Sequence, residues 1–338
     1  MKVLVTGGLG YIGSHTVVEL IDNNYEVVII DNLSNSEIFI LDNIERITGV
    51  RPIFYNINLL DSQGLEEVFN SHKIDGIIHF AAFKSVSESV KNPFKYYNNN
   101  LNSLMNVLNF MNNKNIKNIV FSSSCTVYGQ PDKLPVSEAE PFKKATNPYA
   151  KTKQISEGML EDFINFKDKV RGISLRYFNP VGAHESALIG ELPKGIPDNL
   201  VPYITQTAAG IREELSVFGK DYNTHDGTAI RDYIHVEDLA KAHLKALNFL
   251  NDSDDKNIYE FFNVGTGIGY SVLDVINSFE NINNLKLNYF FKDRRDGDIE
   301  EIYSDVKKSK KVLKWKSERS LDDMMSSAWK WQKNLSNF

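Results

Sequence analysis

A short apolar run, Lys2-Val-Leu-Val-Thr6, leads directly into Gly7-Gly-Leu-Gly-Tyr-Ile-Gly13 and then an amphipathic stretch to about Ile21. No other feature limits the fold of this chain so strongly. Gly8, Gly10 and Gly13 satisfy G-x-G-x-x-G, while Gly7, Gly10 and Gly13 satisfy the wider G-x-x-G-x-x-G. Glycines at these positions permit a tight turn and let the backbone approach a pyrophosphate, whose charge then rests at a helix N-terminus. A Gly-rich turn by itself merely connects elements; between a strand and a helix it has the context of a dinucleotide cradle. A second strand, Tyr25-Glu-Val-Val-Ile-Ile30, ends in Asp31, 18 residues past Gly13. An acid near that spacing accepts hydrogen bonds from a ribose 2′-hydroxyl. A carboxylate there repels a 2′-phosphate, and no Arg or Lys follows before Arg46, which favours NAD over NADP. The other reading makes Asp31 a turn residue at a strand end.

Further strands are expected at Pro52–Leu59, Gly76–Phe80, Ile116–Ser122 and Val170–Tyr177, with helices at about 63–72, 93–113 and 149–166. Strands alternating with helices predict a Rossmann-type, doubly wound parallel α/β sheet. The helix after Pro93 carries Phe94, Tyr97, Leu101, Leu104, Leu108 and Met111 at helical spacing. This stripe is wider than one sheet face needs, so a subunit contact and an ordinary core face are both consistent with it.

The composition is that of an ordinary soluble protein: 42% hydrophobic, 24% charged, net charge −6 over 338 residues. That balance gives no electrostatic footprint for nucleic acid. Lys307-Lys308 and Lys310-Lys311 are short and read as solvated helix faces. A single cysteine, Cys125, excludes an intramolecular disulfide and a cysteine-only metal cage. No apolar run approaches a membrane span and no secretory signal is visible, so the expected location is the cytoplasm. The seven histidines are scattered in sequence, among them His15, His79 and His235. Isolated histidines read as structural, and no metal is expected.

Tyr149-Ala-Lys-Thr-Lys153 follows a Ser-rich strand end, Ser122-Ser-Ser124, by about 25 residues. On a helix, positions i and i+4 share a face, so phenol and ammonium point into one site. A nearby positive charge favours the phenolate and lets a tyrosine act as a base near neutral pH. Taken alone, the pair also suits an exposed helix face.

These motifs, with Thr6-Gly-Gly-Leu-Gly-Tyr-Ile-Gly-Ser14, His79-Phe-Ala-Ala82 and Ser122-Ser-Ser-Cys-Thr-Val-Tyr-Gly129, resemble the extended short-chain dehydrogenase/reductase family. In the second half, Leu175–Ala183, Gly195–Pro202 and Asp226–His235 closely resemble its UDP-sugar 4-epimerases, and the likeness runs to about Trp331. The resemblance implies an NAD-binding domain over 1–178, with some later segments returning to it, and a smaller mixed α/β UDP-sugar domain over 179–338. It implies Tyr149 as catalytic base, Lys153 holding the nicotinamide ribose and lowering the phenol pKa, and Ser124 bridging the sugar 4-hydroxyl and the phenol. Gly7, Gly10, Tyr11, Ile12 and Gly13 would line the dinucleotide, with Asp31, Asn32, Asn35, Ser36, Asn58 and Leu59 at its adenosine end. Phe80, Ala81, Ala82, Lys84, Asn99, Ser122 and Phe178 would close over it. The UDP-sugar would meet Lys84, Asn179, Asn199, Leu200, Phe218, Arg231, Tyr233, Arg295, Asp298 and Ile302. The family implies a homodimer through the 93–113 and 149–166 helices.

Three positions depart from the family pattern. Asn58 replaces a frequent Asp against adenine, though its side-chain oxygen still accepts a bond. Cys125 replaces a small residue and reads as a buried filler. Ile302 stands four past Asp298, where related enzymes carry a large Tyr or something small. Ile is smaller than Tyr but stiff and β-branched, so interconversion of UDP-glucose and UDP-galactose is expected, with epimerisation of UDP-N-acetylhexosamines as the alternative.

The implied chemistry suits these residues. The hydrogen on an unactivated carbinol carbon is not acidic, so inversion at C4 needs transient oxidation to a ketone, using a base, a nicotinamide and an oxygen-fixing donor. Arginines suit a diphosphate through paired donors. A 4,6-dehydratase would need an acid–base pair near Ser123-Ser124-Cys125-Thr126, which offers no carboxylate. A binding protein that had lost its chemistry would typically lack the Tyr or the Lys.

Overall fold

In the computed structural model, residues 1–295 and 298–335 are described; Asp296 and Gly297, inside the Arg294–Asp298 motif, and 336–338 at the end of the expected second domain lie outside them. Six strands arise in the first half: β1 (Lys2–Thr6), β2 (Glu26–Asp31), β3 (Ile53–Asn56), β4 (Gly76–His79), β5 (Asn118–Ser124) and β6 (Arg171–Tyr177). Between them run α1 (Tyr11–Asp22), α2 (Phe39–Thr48), α3 (Ser62–Ser71), α4 (Val86–Lys91), α5 (Pro93–Lys114) and α6 (Pro148–Phe166). The strands form one parallel sheet whose seventh member, Ile258–Val264, comes from far down the chain and pairs with β6 at the edge. The order is therefore Ile258–Val264, β6, β5, β4, β1, β2, β3.

Strand residues alternate between two cores, as the two-residue period of a strand demands. Val3, Val5, Ile29 and Ile78 face one core with the helix Val236–Asp252 and α1; Leu4, Val28, Ile30 and Ile77 face the other with α3, α5 and α6. Both faces being covered explains why the strands are apolar throughout. The strand expected over 52–59 is only four residues long, because Asn58 turns the chain by accepting a hydrogen bond from Leu60 N at 2.9 Å.

The remaining segments form a smaller body. Helices Leu200–Ala208, Val272–Asn283 and Leu321–Asn334 pack around Val217, Tyr233, Phe279 and Met325. Its strands are short, pairing Asn179–Val181 with Tyr233–His235, and Ile230–Arg231 with Tyr270–Ser271 and Glu301–Ile302. The apolar stripe of α5 divides: Leu104, Leu108 and Met111 are buried, whereas Phe94 is 85% exposed.

Candidate active site

The glycine turn follows from close approach. Gly7 has φ +70°, and a Cβ on Gly13 would lie 2.1 Å from the Gly7 carbonyl oxygen, so no side chain fits there. Gly10 caps α1 without any side-chain hydrogen bond, and the first turn carries no acid. The opening N–H groups of α1 are thus left for an anion, which is what a dinucleotide phosphate requires. Asp31 lies at the end of β2, where its carboxylate accepts from Leu9 N (3.1 Å), Leu33 N (2.9 Å) and the Ser36 hydroxyl (2.8 Å). Ser36 therefore orients Asp31, while Asn32 and Asn35 stand exposed on the same loop. On the other side of β1, Phe80, Ala81 and Ala82 follow β4, and the would-be Cβ of Gly7 lies only 2.9 Å from Ala81 N. These residues fit a bound dinucleotide by shape and donor chemistry. Leu59 is buried beside this region, its carbonyl accepting from Asn106, and Asn99 donates to Asn100.

Ser124, Tyr149 and Lys153 are brought together at the ends of β5 and the start of α6. Asn147 caps α6 by accepting from Ala150 N at 2.8 Å, which sets the first turn and with it Tyr149. The Lys153 ammonium is buried, donates to the Ser122 carbonyl at 2.5 Å and sits 5.8 Å from the Tyr149 ring centre. Burial pulls the Lys153 pKa down to about 7, opposed by Glu157. The Tyr149 phenol differs from expectation: burial pushes it up to about 12, and the countering influence is a hydrogen bond with Ser124 rather than Lys153. Desolvation of the phenol outweighs the lowering by the Ser124 hydrogen bond. Cys125 is likewise pushed up to about 12 by burial.

Residues unnoticed in the sequence hold this pair in place. The Arg176 guanidinium on β6 meets the Glu157 carboxylate on α6 at 2.6 Å, both almost fully buried. Ser123 donates to Glu157 at 2.5 Å, and Arg176 also donates to the Tyr128 oxygen at 3.0 Å. Glu157 lies one helical turn beyond Lys153, a spacing that could have flagged it.

The other half supplies polar groups on short strands. Asn179 is in register with Tyr233, and Ile302 with Arg231. Asp232, between them, accepts from Thr266 N and Oγ1, Gly267 N, and Ser304 N and Oγ at 2.5–3.1 Å. It fixes which way its neighbours Arg231 and Tyr233 point. Arg295 forms a two-pronged pair with Asp298 (2.9 and 3.2 Å) and lies 5.0 Å over the Phe218 ring. An open cleft of about 670 Å³ runs between Phe218–Asp221 and Phe291–Arg294. Ile302 is buried with Val127, Tyr128, Val136 and Phe178. Lys84 pairs with Glu191 at 2.8 Å, and Asn199, preceding the helix that begins at Leu200, donates to the same carboxylate oxygen at 2.7 Å.

The histidines are less scattered than the sequence suggests. His15 and His184 lie with ring centres 6.3 Å apart, and His235 Nδ1 is 3.7 Å from Glu237. Burial keeps His15 and His235 neutral, with pKa values lowered to about 3. Among the described residues His225, Asp226 and Asp274 could face one cation, but Asp226 accepts from the Ser271 hydroxyl and Asp274 from Ser271 N.

The sequence pattern of the NAD dependent epimerase/dehydratase family matches residues 3–265. The chain belongs to this family. Within it, the chain is 48% identical over 337 residues to the UDP-glucose 4-epimerase of Bacillus subtilis, covering 100% of this chain and 98% of that protein. It is 49% identical to the UDP-glucose 4-epimerase of Pasteurella multocida, over 98% of each. Among solved members, the UDP-glucose 4-epimerase of Stenotrophomonas maltophila, with bound NAD and formylated UDP-arabinopyranose, superposes with a TM-score of 0.96 at 46% identity, covering 100% of this chain and 99% of that one. That of Bifidobacterium longum, in complex with NAD+ and UDP, gives 0.95 at 46% identity, covering 100% of both.

Proposed function

We propose that this protein interconverts UDP-glucose and UDP-galactose by transient oxidation at C4 of the sugar. The observation that carries the reading is the convergence of Ser124, Tyr149 and Lys153 beside a glycine turn shaped for a dinucleotide. Full-length likeness to named UDP-glucose 4-epimerases supports the sugar and the position. NAD+, held by the Gly7–Gly13 turn and Asp31, would supply the hydride acceptor and donor for C4.

The residues of the chain do the rest. Tyr149 removes the proton of the 4-hydroxyl and gives it back, and Ser124 fixes the oxygen between them. Because burial holds the phenol up at about 12 despite the Ser124 hydrogen bond, the base needs further positive charge in the loaded site, to which Lys153 contributes while protonated. Inversion requires the 4-ketone to present both faces, so anchoring falls on the nucleotide. Arg231 and Arg295 supply cationic forks suited to its diphosphate, and Phe218 supplies a ring face for a base. The exposed Phe94, Met105 and Phe166 on α5 and α6 support a homodimer through these two helices.

Purified protein, without added reductant, should interconvert UDP-galactose and UDP-glucose and release NAD on acid denaturation. Full activity in Tyr149→Phe would contradict the assigned base. UDP-N-acetylgalactosamine should also turn over, because Ile302 gives less bulk than a tyrosine; no detectable turnover would sink that breadth.

A further inference from the structure

The strand order β4-β1-β2 places the glycine turn, at the end of β1, between two flanking loops. One follows β2 and carries Asp31 to Ser36; the other follows β4 and carries Ala81 to Ser85. The segment Glu191–Asn199 is bonded to both. Lys194 Nζ donates to the Leu33 carbonyl at 3.0 Å and lies 3.2 Å from the Glu37 carboxylate, on the β2 side. On the β4 side, Lys84 donates to Glu191 Oε1 at 2.8 Å and Ser85 donates to Asp198 Oδ2 at 2.5 Å. To touch both flanks the segment must pass over the end of β1, and so over the turn.

Its build suits a stiff span held at both ends. Pro193 and Pro197 each fix one backbone torsion, and Gly195 takes φ +85° between them. At the near end Trp331 Nε1 donates to the Glu191 carbonyl at 2.9 Å. A Cβ on Gly190 would lie 2.5 Å from the Trp331 ring, so the segment is pressed against the C-terminal helix. At the far end it runs into the helix Leu200–Ala208 through Asn199, which shares the acceptor Glu191 Oε1 with Lys84.

We propose that Glu191–Asn199 is a strap that retains the dinucleotide, with Glu191 the positioning residue that ties the strap to the UDP-sugar half. The proposal rests on the NAD-dependent reading above. Exposed ion pairs act weakly one at a time, so the retaining effect is distributed over Lys194, Asp198 and Glu191. Because Glu191 serves one donor from each half, loosening it disturbs both sites together.

The test uses NAD-loaded full-length protein, passed through a desalting column, with NAD remaining on the protein measured over time by acid release. Lys194→Ala combined with Asp198→Ala should lose NAD about tenfold faster than wild type, with an unchanged melting temperature after NAD is stripped. Glu191→Gln should lose NAD faster and raise KM for UDP-galactose severalfold while kcat at saturating NAD stays within about twofold. Wild-type rates of NAD loss in both variants would overturn the strap while leaving the cofactor reading intact. A wild-type protein that takes up no NAD would overturn that reading and the strap with it.

Discussion

The two halves of this molecule hold their functional groups in opposite ways. In the cofactor half, position is set by backbone: a seven-stranded sheet covered on both faces, a glycine turn with no room for a methyl group, and a buried Lys153 bonded to a carbonyl. In the other half, strands are two to four residues long, and groups such as Arg295 and Arg294 reach their places through partly exposed ion pairs. Rigid elements hold catalytic groups to within fractions of an ångström, whereas paired surface side chains exchange partners at small cost. On the proposed function, the chemistry is placed where geometry is fixed, and recognition of a ligand that must turn over is placed where it yields. Substitutions in the first half should act as near-total losses, and those in the second as graded ones.

The largest effect expected is from Tyr149→Phe, which keeps the ring and removes the proposed base. Its kcat should fall on the order of 10³-fold, while acid-released NAD stays at the wild-type amount. Next comes Arg176→Leu, which leaves the Glu157 carboxylate buried without its cation. Urea unfolding should show a loss of about 3 kcal/mol; a loss below about 1 kcal/mol would mean that the α6–β6 tie is dispensable. Gly13→Ala forces the Gly7 carbonyl aside, and NAD titration should show at least about tenfold weaker binding, with the fold retained by circular dichroism.

A further effect concerns pH. The Lys153 pKa is about 7 in the folded protein and near 10.4 unfolded, so between these values the unfolded chain binds more protons. Stability of NAD-free protein should therefore rise with pH from about 7 to 10, by up to roughly 1.4 kcal/mol per unit from this group. Lys153→Met should remove that rise, as urea midpoints measured across the window will reveal. The mildest expected change is Arg295→Lys, which keeps the charge but loses the fork against Asp298. It should raise KM for UDP-galactose about fivefold with kcat little altered. A collapse of kcat there would erase the contrast between the halves.

What the sequence made legible was local. The strand, glycine turn and helix are contiguous, and Asp31 lies one strand further on. Tyr149 and Lys153 are four apart on one helix, a spacing that put them on one face, while their expected catalytic role came from the family resemblance. What stayed hidden depends on partners far away in the chain. Arg176 meets Glu157 only because β6 lies under α6, and Asp232 gathers donors from Thr266, Gly267 and Ser304. The stripe on α5 split by face: Phe94 points outward, whereas Tyr96 in the same turn and Leu104 further along pack inward. The phenol pKa ran against expectation because burial, which no spacing reveals, outweighed the lowering by the Ser124 hydrogen bond.

The returning strand Ile258–Val264 has a consequence for how the protein is made. Until it pairs with β6, the sheet has an open edge of unsatisfied N–H and C=O groups beside the strand that carries Arg176, and such edges invite pairing between chains. A ribosome must therefore emit about three-quarters of the polypeptide before the cofactor sheet can close. Cutting the gene after the first six strands should yield an aggregating fragment rather than a small dinucleotide-binding module.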